Sequence, residues 1–107
     1  MLPIHVAKFG GTSMANAESI QACVDVVERQ KNPTLVVVSA CAGVTNRLVA
    51  ISHSHTQTER QRLFDEIVDI HCQAASALPK DNAVHHHLAQ LHQLLHILVQ
   101  QAPDALE

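Results

Sequence analysis

The chain contains no Trp and no Tyr, and only two Phe, Phe9 and Phe64, in 107 residues. Modules that bind single-stranded nucleic acid stack bases on aromatic rings, so this scarcity argues against that class. Basic charge is short as well: 7 Lys and Arg stand against 10 Asp and Glu, for a net charge of −3. No basic stripe suggests a nucleic acid, and no polybasic run suggests a membrane surface. No apolar run approaches the ~20 residues of a membrane-spanning helix. The opening MLPIHVAKFGG lacks a basic start followed by a long apolar stretch, so it does not read as a secretory signal. Cysteine is sparse: Cys23, Cys41 and Cys72 are odd in number and form no CxxC. That usage fits reduced thiols in a cytoplasmic protein rather than a disulfide framework. Glycine is as few in number, and two of the three glycines are adjacent, Gly10 and Gly11.

The residues that are present form a regular alternation. Residues 4–9, IHVAKF, are short and β-rich, and they stop at the two glycines. Over residues 16–30, Ile20, Cys23, Val24 and Val27 recur at helical spacing. Pro33 ends that helix. Residues 34–39, TLVVVS, form a branched apolar run suited to a strand covered on both faces, as in a parallel sheet. Strand, helix, strand predicts a βαβ unit with a right-handed crossover. A helix is expected over 44–52, then a polar loop, SHSHTQ. Thr58 followed by Gln61 fits a capping box that opens a helix to about residue 77, with Leu63, Phe64, Ile67, His71 and Ala74 on one side. After the break LPKDN, a last helix over 83–101 carries Val84, Leu88, Leu91, Leu95 and Leu98 at heptad-like spacing. The short break predicts an antiparallel helical hairpin. One domain is expected over 1–107, with a βαβ unit and its two turns over 1–50 and the hairpin over 58–101.

Two turns carry the chemistry. KFGGTS, residues 8–13, places a lysine, two glycines and two hydroxyls after the first strand. Such a turn can let a phosphate approach the main chain and aim free N–H groups at it. It is neither a Walker A loop, whose lysine follows the glycines, nor G-x-G-x-x-G. Taken alone it also reads as an ordinary tight turn. ACAGVTN, residues 40–46, follows the second strand and, with Ser39, supplies Gly43, Thr45 and Asn46. Helix capping is the simpler role for Ser39, Thr45 and Asn46 taken singly. Together the turns lie at the carboxyl ends of two parallel strands, where open α/β sheets bind ligands.

VAKFGGTSMANAESI followed by LVVVSACAGVTNRLV resembles the start of an aspartate kinase, of the amino acid kinase superfamily. MANAESI is most similar to the lysine-sensitive, monofunctional type. Kinases of acetylglutamate or uridylate share a looser lysine–glycine–glycine–serine turn without the second motif. The motifs cover about residues 4–50. The resemblance implies an α/β fold: the N-terminal part of a three-layer αβα sandwich whose sheet is incomplete in this chain. It implies transfer of the γ-phosphate of ATP to the β-carboxylate of L-aspartate, the first step toward lysine, threonine and methionine. Lys8 is implied as the catalytic cation on the transferred phosphate. Gly10 and Gly11 would offer main-chain donors, with Thr12 and Ser13 completing that turn. Ser39 and Thr45 would lie on the aspartate side, and Gly43 and Asn46 would shape their loop. The implied cofactors are ATP and Mg²⁺, as MgATP. The expected partners are L-aspartate and ATP, with no nucleic acid and no membrane, in a homo-oligomer.

The family's kinase domain is more than twice this long. Its glutamate and arginine for the amino acid, its acidic residue for metal and phosphate and its adenine pocket lie beyond the matched segment. The chain therefore reads as an N-terminal piece, inactive alone. Nine histidines are many for this length. Five of them, His85, His86, His87, His92 and His96, are expected on a solvated helix flank without a metal, and His71 is expected to be packed. The alternatives are a non-enzymatic helical association module, or another amino acid kinase.

Overall fold

The computed structural model describes residues 3–103. Strand β1 (His5–Phe9) leads into a short 3₁₀ turn, Gly11–Met14, then helix α1 (Ala17–Glu28) and strand β2 (Thr34–Val38). The strands pair in parallel, with His5 opposite Thr34 and Phe9 opposite Val38. Helix α1 starts where Asn16 caps it: its side chain accepts from Ser19 N, and Ser19 Oγ accepts from Asn16 N. The helix stops before Pro33, whose carbonyl instead accepts from His5 N at 2.8 Å and so helps start β1.

One sheet face meets α1: Phe9, Val36 and Val38 border an apolar cleft with Ile20, Val24 and Val27. Side chains alternate along a strand, so Val6, Lys8, Leu35 and Val37 lie on the other face. That face is open, with Val6 66% and Leu35 58% exposed. The apolar run of β2 thus predicts a burial that the described residues do not provide. Among them the sheet has two strands, and nothing covers its second face.

The remaining helices are α2 (Val44–His53), α3 (Gln57–Ala74) and α4 (Ala83–Gln101). The cap of α3 is Thr56, not Thr58. Thr56 has the extended backbone a cap needs, and its hydroxyl accepts from Glu59 N at 3.2 Å, while Thr58 lies inside the helix. The Glu59 carboxylate turns away to Arg62, whose hydrogen bond holds it below the usual carboxylate range. Helices α3 and α4 run antiparallel. Arg60 Nη2 donates to Ala102 O at 2.7 Å near one end, and His71 Nδ1 lies 2.8 Å from His92 Nε2 toward the other.

The seam of this hairpin differs from the expected leucine stripe. His85, Leu88, His92, Leu95 and Val99 are its least exposed positions, and Val99 is buried. Leu88 and Leu95 belong to both stripes, but Val84, Leu91 and Leu98 are exposed, Leu98 to 64%. The reason lies on α3, where Leu63, Phe64 and Ile67 are buried and accept the rotated face. His92 is consequently no solvated flank residue. It is half-buried, its ring lies 14° from the plane of His71, and Phe64 meets it edge-on. Burial pushes both imidazoles below their ordinary pKa, and for His71 the charge of His92 adds to that.

Candidate functional site

β1 and β2 end side by side, so the turns that follow them share one rim. Two backbone bonds fix this. Ser39 N donates to Phe9 O at 3.1 Å, continuing the ladder one residue past β2, and Ala42 N donates to Met14 O at 3.1 Å, joining the second turn to the end of the first. Met14 is buried beneath this junction, as is Cys23, whose thiol donates weakly to Ser13 O at 3.7 Å.

Of the seven residues expected to touch phosphate or substrate, Lys8, Gly10, Gly11, Thr12, Ser39 and Thr45 are exposed and Ser13 is half-buried; of the two expected to shape the loop, Asn46 is exposed and Gly43 half-buried. Lys8 is the next-to-last residue of β1, on the sheet face away from α1. Gly10 is extended, at φ −81° and ψ −172°, and its carbonyl accepts from Ser13 N at 3.1 Å. A Cβ added at Gly10 or Gly11 would meet nothing within 4 Å. Among the described residues no neighbour therefore demands glycine at either position, and the space beside both is open for something else to approach the main chain. Thr12 and Ser13 form the 3₁₀ turn, which carries no side-chain cap. Ser39 Oγ donates to the neighbouring Ala40 carbonyl at 2.6 Å. Thr45 stands in the first turn of α2, another helix start without a side-chain cap.

Gly43 behaves differently from the adjacent pair. Its φ of 89° is a left-handed conformation that favours glycine, and a Cβ there would sit 2.6 Å from Arg47 Nη1. Arg47, to which the sequence motifs assign no role, packs against this glycine. Its Nη1 donates to Gly43 O at 3.1 Å, four residues back on the same helix. The Gly43–Arg47 spacing is visible in the sequence, but helical spacing alone does not mark a bond to a turn carbonyl.

The rim thus offers a cation, hydroxyls and main-chain donors at two uncapped helix starts, a set suited to an anion. Among the described residues, no three His, Cys, Asp or Glu side chains converge as metal ligands.

Residues 3–103 match the model of the amino acid kinase family. The lysine-sensitive aspartokinase 3 of Escherichia coli is 34% identical over 102 residues, which are 95% of this chain and 23% of that protein. A Haemophilus influenzae protein named "Putative inactive aspartokinase 3" is 47% identical over 68 residues, 64% of this chain and 54% of its own length. In structure, the chain superposes on E. coli aspartokinase III in complex with aspartate and ADP with a TM-score of 0.84 at 32% identity, covering 95% of this chain and 24% of that one. The chain therefore spans about half of one relative and about a quarter of the other.

Proposed function

The chain belongs to the amino acid kinase family, and from that premise we propose that it forms one part of the catalytic face of an aspartate kinase. The observation that carries this reading is the pairing of the two turns on one rim through Ser39–Phe9 and Ala42–Met14. It is supported by 34% identity, over nearly the whole chain, to an aspartokinase.

In this reading the β-carboxylate of aspartate attacks the γ-phosphorus of ATP, the bond to the bridging oxygen of ADP breaks, and aspartyl phosphate forms. An ionised carboxylate needs no general base. Catalysis is then largely positioning and stabilisation of charge on the transferred group. Lys8 supplies a positive charge to that group, and the amides of Gly10 and Gly11 donate to it, in the free space beside the two glycines. Thr12 and Ser13 complete the phosphate turn. Ser39 and Thr45 hold aspartate, which requires Ser39 Oγ to exchange its bond to Ala40 O for one to the substrate. Mg²⁺ arrives with ATP as part of the substrate. The setting is cytoplasmic amino-acid biosynthesis leading to lysine, and the protein works as a homo-oligomer; light scattering across concentrations checks the latter, and a constant monomer mass would overturn it.

Coupled ADP release tests the reaction. The complete kinase polypeptide carrying this segment should release ADP with L-aspartate and MgATP, and should do so poorly with glutamate or acetylglutamate as acceptor. Equal turnover with another acceptor would move the protein to a different amino acid kinase. No turnover with any acceptor would favour the non-enzymatic reading.

A further inference from the structure

We propose that Arg47 is a positioning residue for the second turn, holding the Gly43 carbonyl so that the start of α2, with Thr45, keeps one orientation on the rim. The functional half of this proposal rests on the kinase reading above. The geometric half does not.

Gly43 O accepts twice from one residue, from Arg47 N at 3.3 Å and from Arg47 Nη1 at 3.1 Å. The first is the ordinary opening bond of a helix, and the second is additional. A carbonyl oxygen has two lone pairs, so the two donors use its full capacity. The peptide plane between Gly43 and Val44 then cannot rotate without loosening both bonds. The guanidinium also fills the place of a side chain at position 43, since a Cβ there would lie 2.6 Å from Nη1.

The other side of the guanidinium is tied to the helix that carries the core. Arg47 Nε lies 3.7 Å from Glu66 Oε2 on α3, a charge contact too long for a hydrogen bond. Glu66 is held by Arg62 at 3.1 and 3.2 Å, and Arg62 also bonds Glu59 in the first turn of α3. Alternating charges thus run from the rim turn along α3. Arg47 and Glu66 are 34% and 37% exposed, so their attraction adds little stability. An arginine that only joined α2 to α3 would need Glu66 and no rim carbonyl. The bond to Gly43 O is what makes orientation of the turn its task.

The test has two arms. In the first, amide NMR spectra of this chain are compared with those of Arg47→Leu, Arg47→Lys and Glu66→Gln. The largest shifts in both Arg47 variants are expected at Gly43, Val44 and Thr45, with the amides of Lys8 to Ser13 nearly still. Lysine keeps the charge but lacks the arginine fork, so it should not rescue them. Glu66→Gln should move the same amides less. Shifts confined to α3, with Gly43 to Thr45 unmoved, would overturn the proposal. Should Arg47→Leu fail to fold, the other two variants carry the comparison.

In the second arm, the two Arg47 substitutions in the complete kinase should raise the KM for aspartate about threefold to tenfold, with KM for ATP and kcat changed by less than about twofold, and Glu66→Gln should change the KM for aspartate less. Equal changes in both KM values would leave Arg47 a merely structural residue and overturn the proposal. If the unsubstituted kinase shows no aspartate-dependent turnover, the kinase reading falls by itself, and the amide spectra still decide what Arg47 holds.

Discussion

The βαβ half and the helical half of this molecule are built by different means. Around the sheet, Met14 and Cys23 are the only buried residues among those described, and the open strand face leaves Val6 and Leu35 more than half exposed. Backbone bonds between the turns, not a packed core, define the geometry there. In the helical half, Val44, Leu63, Phe64, Ile67, Ala75 and Val99 are buried, and Arg60 is buried among them with its bond to Ala102 O. Apart from Thr45 at the start of α2, the candidate chemistry therefore lies in the half with the smaller core. A rim that must admit substrates cannot also be closed by side chains, so its rigidity has to come from backbone bonds and from ties such as Arg47 to the better-packed half.

The comparison is tested most severely by the chain alone. Residues 1–107 should give no aspartate-dependent ADP release. Lys8 and the glycine turns do not by themselves hold aspartate and ATP in line, and positioning can contribute ~7–11 kcal/mol of barrier lowering. Measurable turnover in a coupled assay would show that the rim is sufficient. Next in size is a pair of core and surface substitutions followed by thermal or urea unfolding. Ile67→Ala, at a site 1% exposed, should destabilise the chain by about 2–5 kcal/mol, whereas Leu35→Thr, at 58% exposed, should cost little. Comparable losses would show that the sheet half is as well packed as the helices.

Lys8→Met in the complete kinase should lower kcat ~10²–10³-fold with an almost unchanged unfolding midpoint, because an exposed strand-end lysine contributes little to packing. Near-normal turnover would remove Lys8 from the site. Thr45→Ala or Ser39→Ala should raise KM for aspartate more than KM for ATP, by the equivalent of ~0.5–1.5 kcal/mol. An effect on ATP alone would place both residues on the nucleotide side.

The smallest effect belongs to the hairpin. His71 and His92 have folded-state pKa values pushed below the ordinary value by burial. The unfolded chain therefore binds more protons, and stability rises with pH. It should be fully present above about pH 6.5 and decline as pH falls from there toward the lowered folded values. The unfolding midpoint followed between neutral and mildly acid pH should drop, and the drop should shrink in His92→Phe. An unchanged slope in that variant would mean that other groups carry the pH dependence.

Much of the fold was legible because its signals are local. The helical period of Ile20, Cys23, Val24 and Val27, the stop at Pro33 and the branched run of β2 each act over a few residues, and they located α1 and the parallel pair. The same holds for the candidate site. Gly10-Gly11 and Gly43 punctuate strand ends, and the parallel order puts both turns on one rim without any knowledge of side-chain packing. Cap choice was less legible. Thr56 and Thr58 both precede a helical pattern, and backbone conformation decided between them.

The sequence by itself determined the order of elements, the two turns and the family, because spacing along the chain is enough for each. The tertiary structure alone decided which of two overlapping stripes of α4 faces inward. Leu88 and Leu95 serve either stripe, so the choice between Leu91 and Leu98 or His92 and Val99 depends on what α3 presents. It alone also decided that Arg47 reaches back to Gly43 and across to Glu66. Both outcomes are competitions between locally equivalent arrangements. Partners distant in sequence break such a tie, and they become neighbours only when the chain has folded.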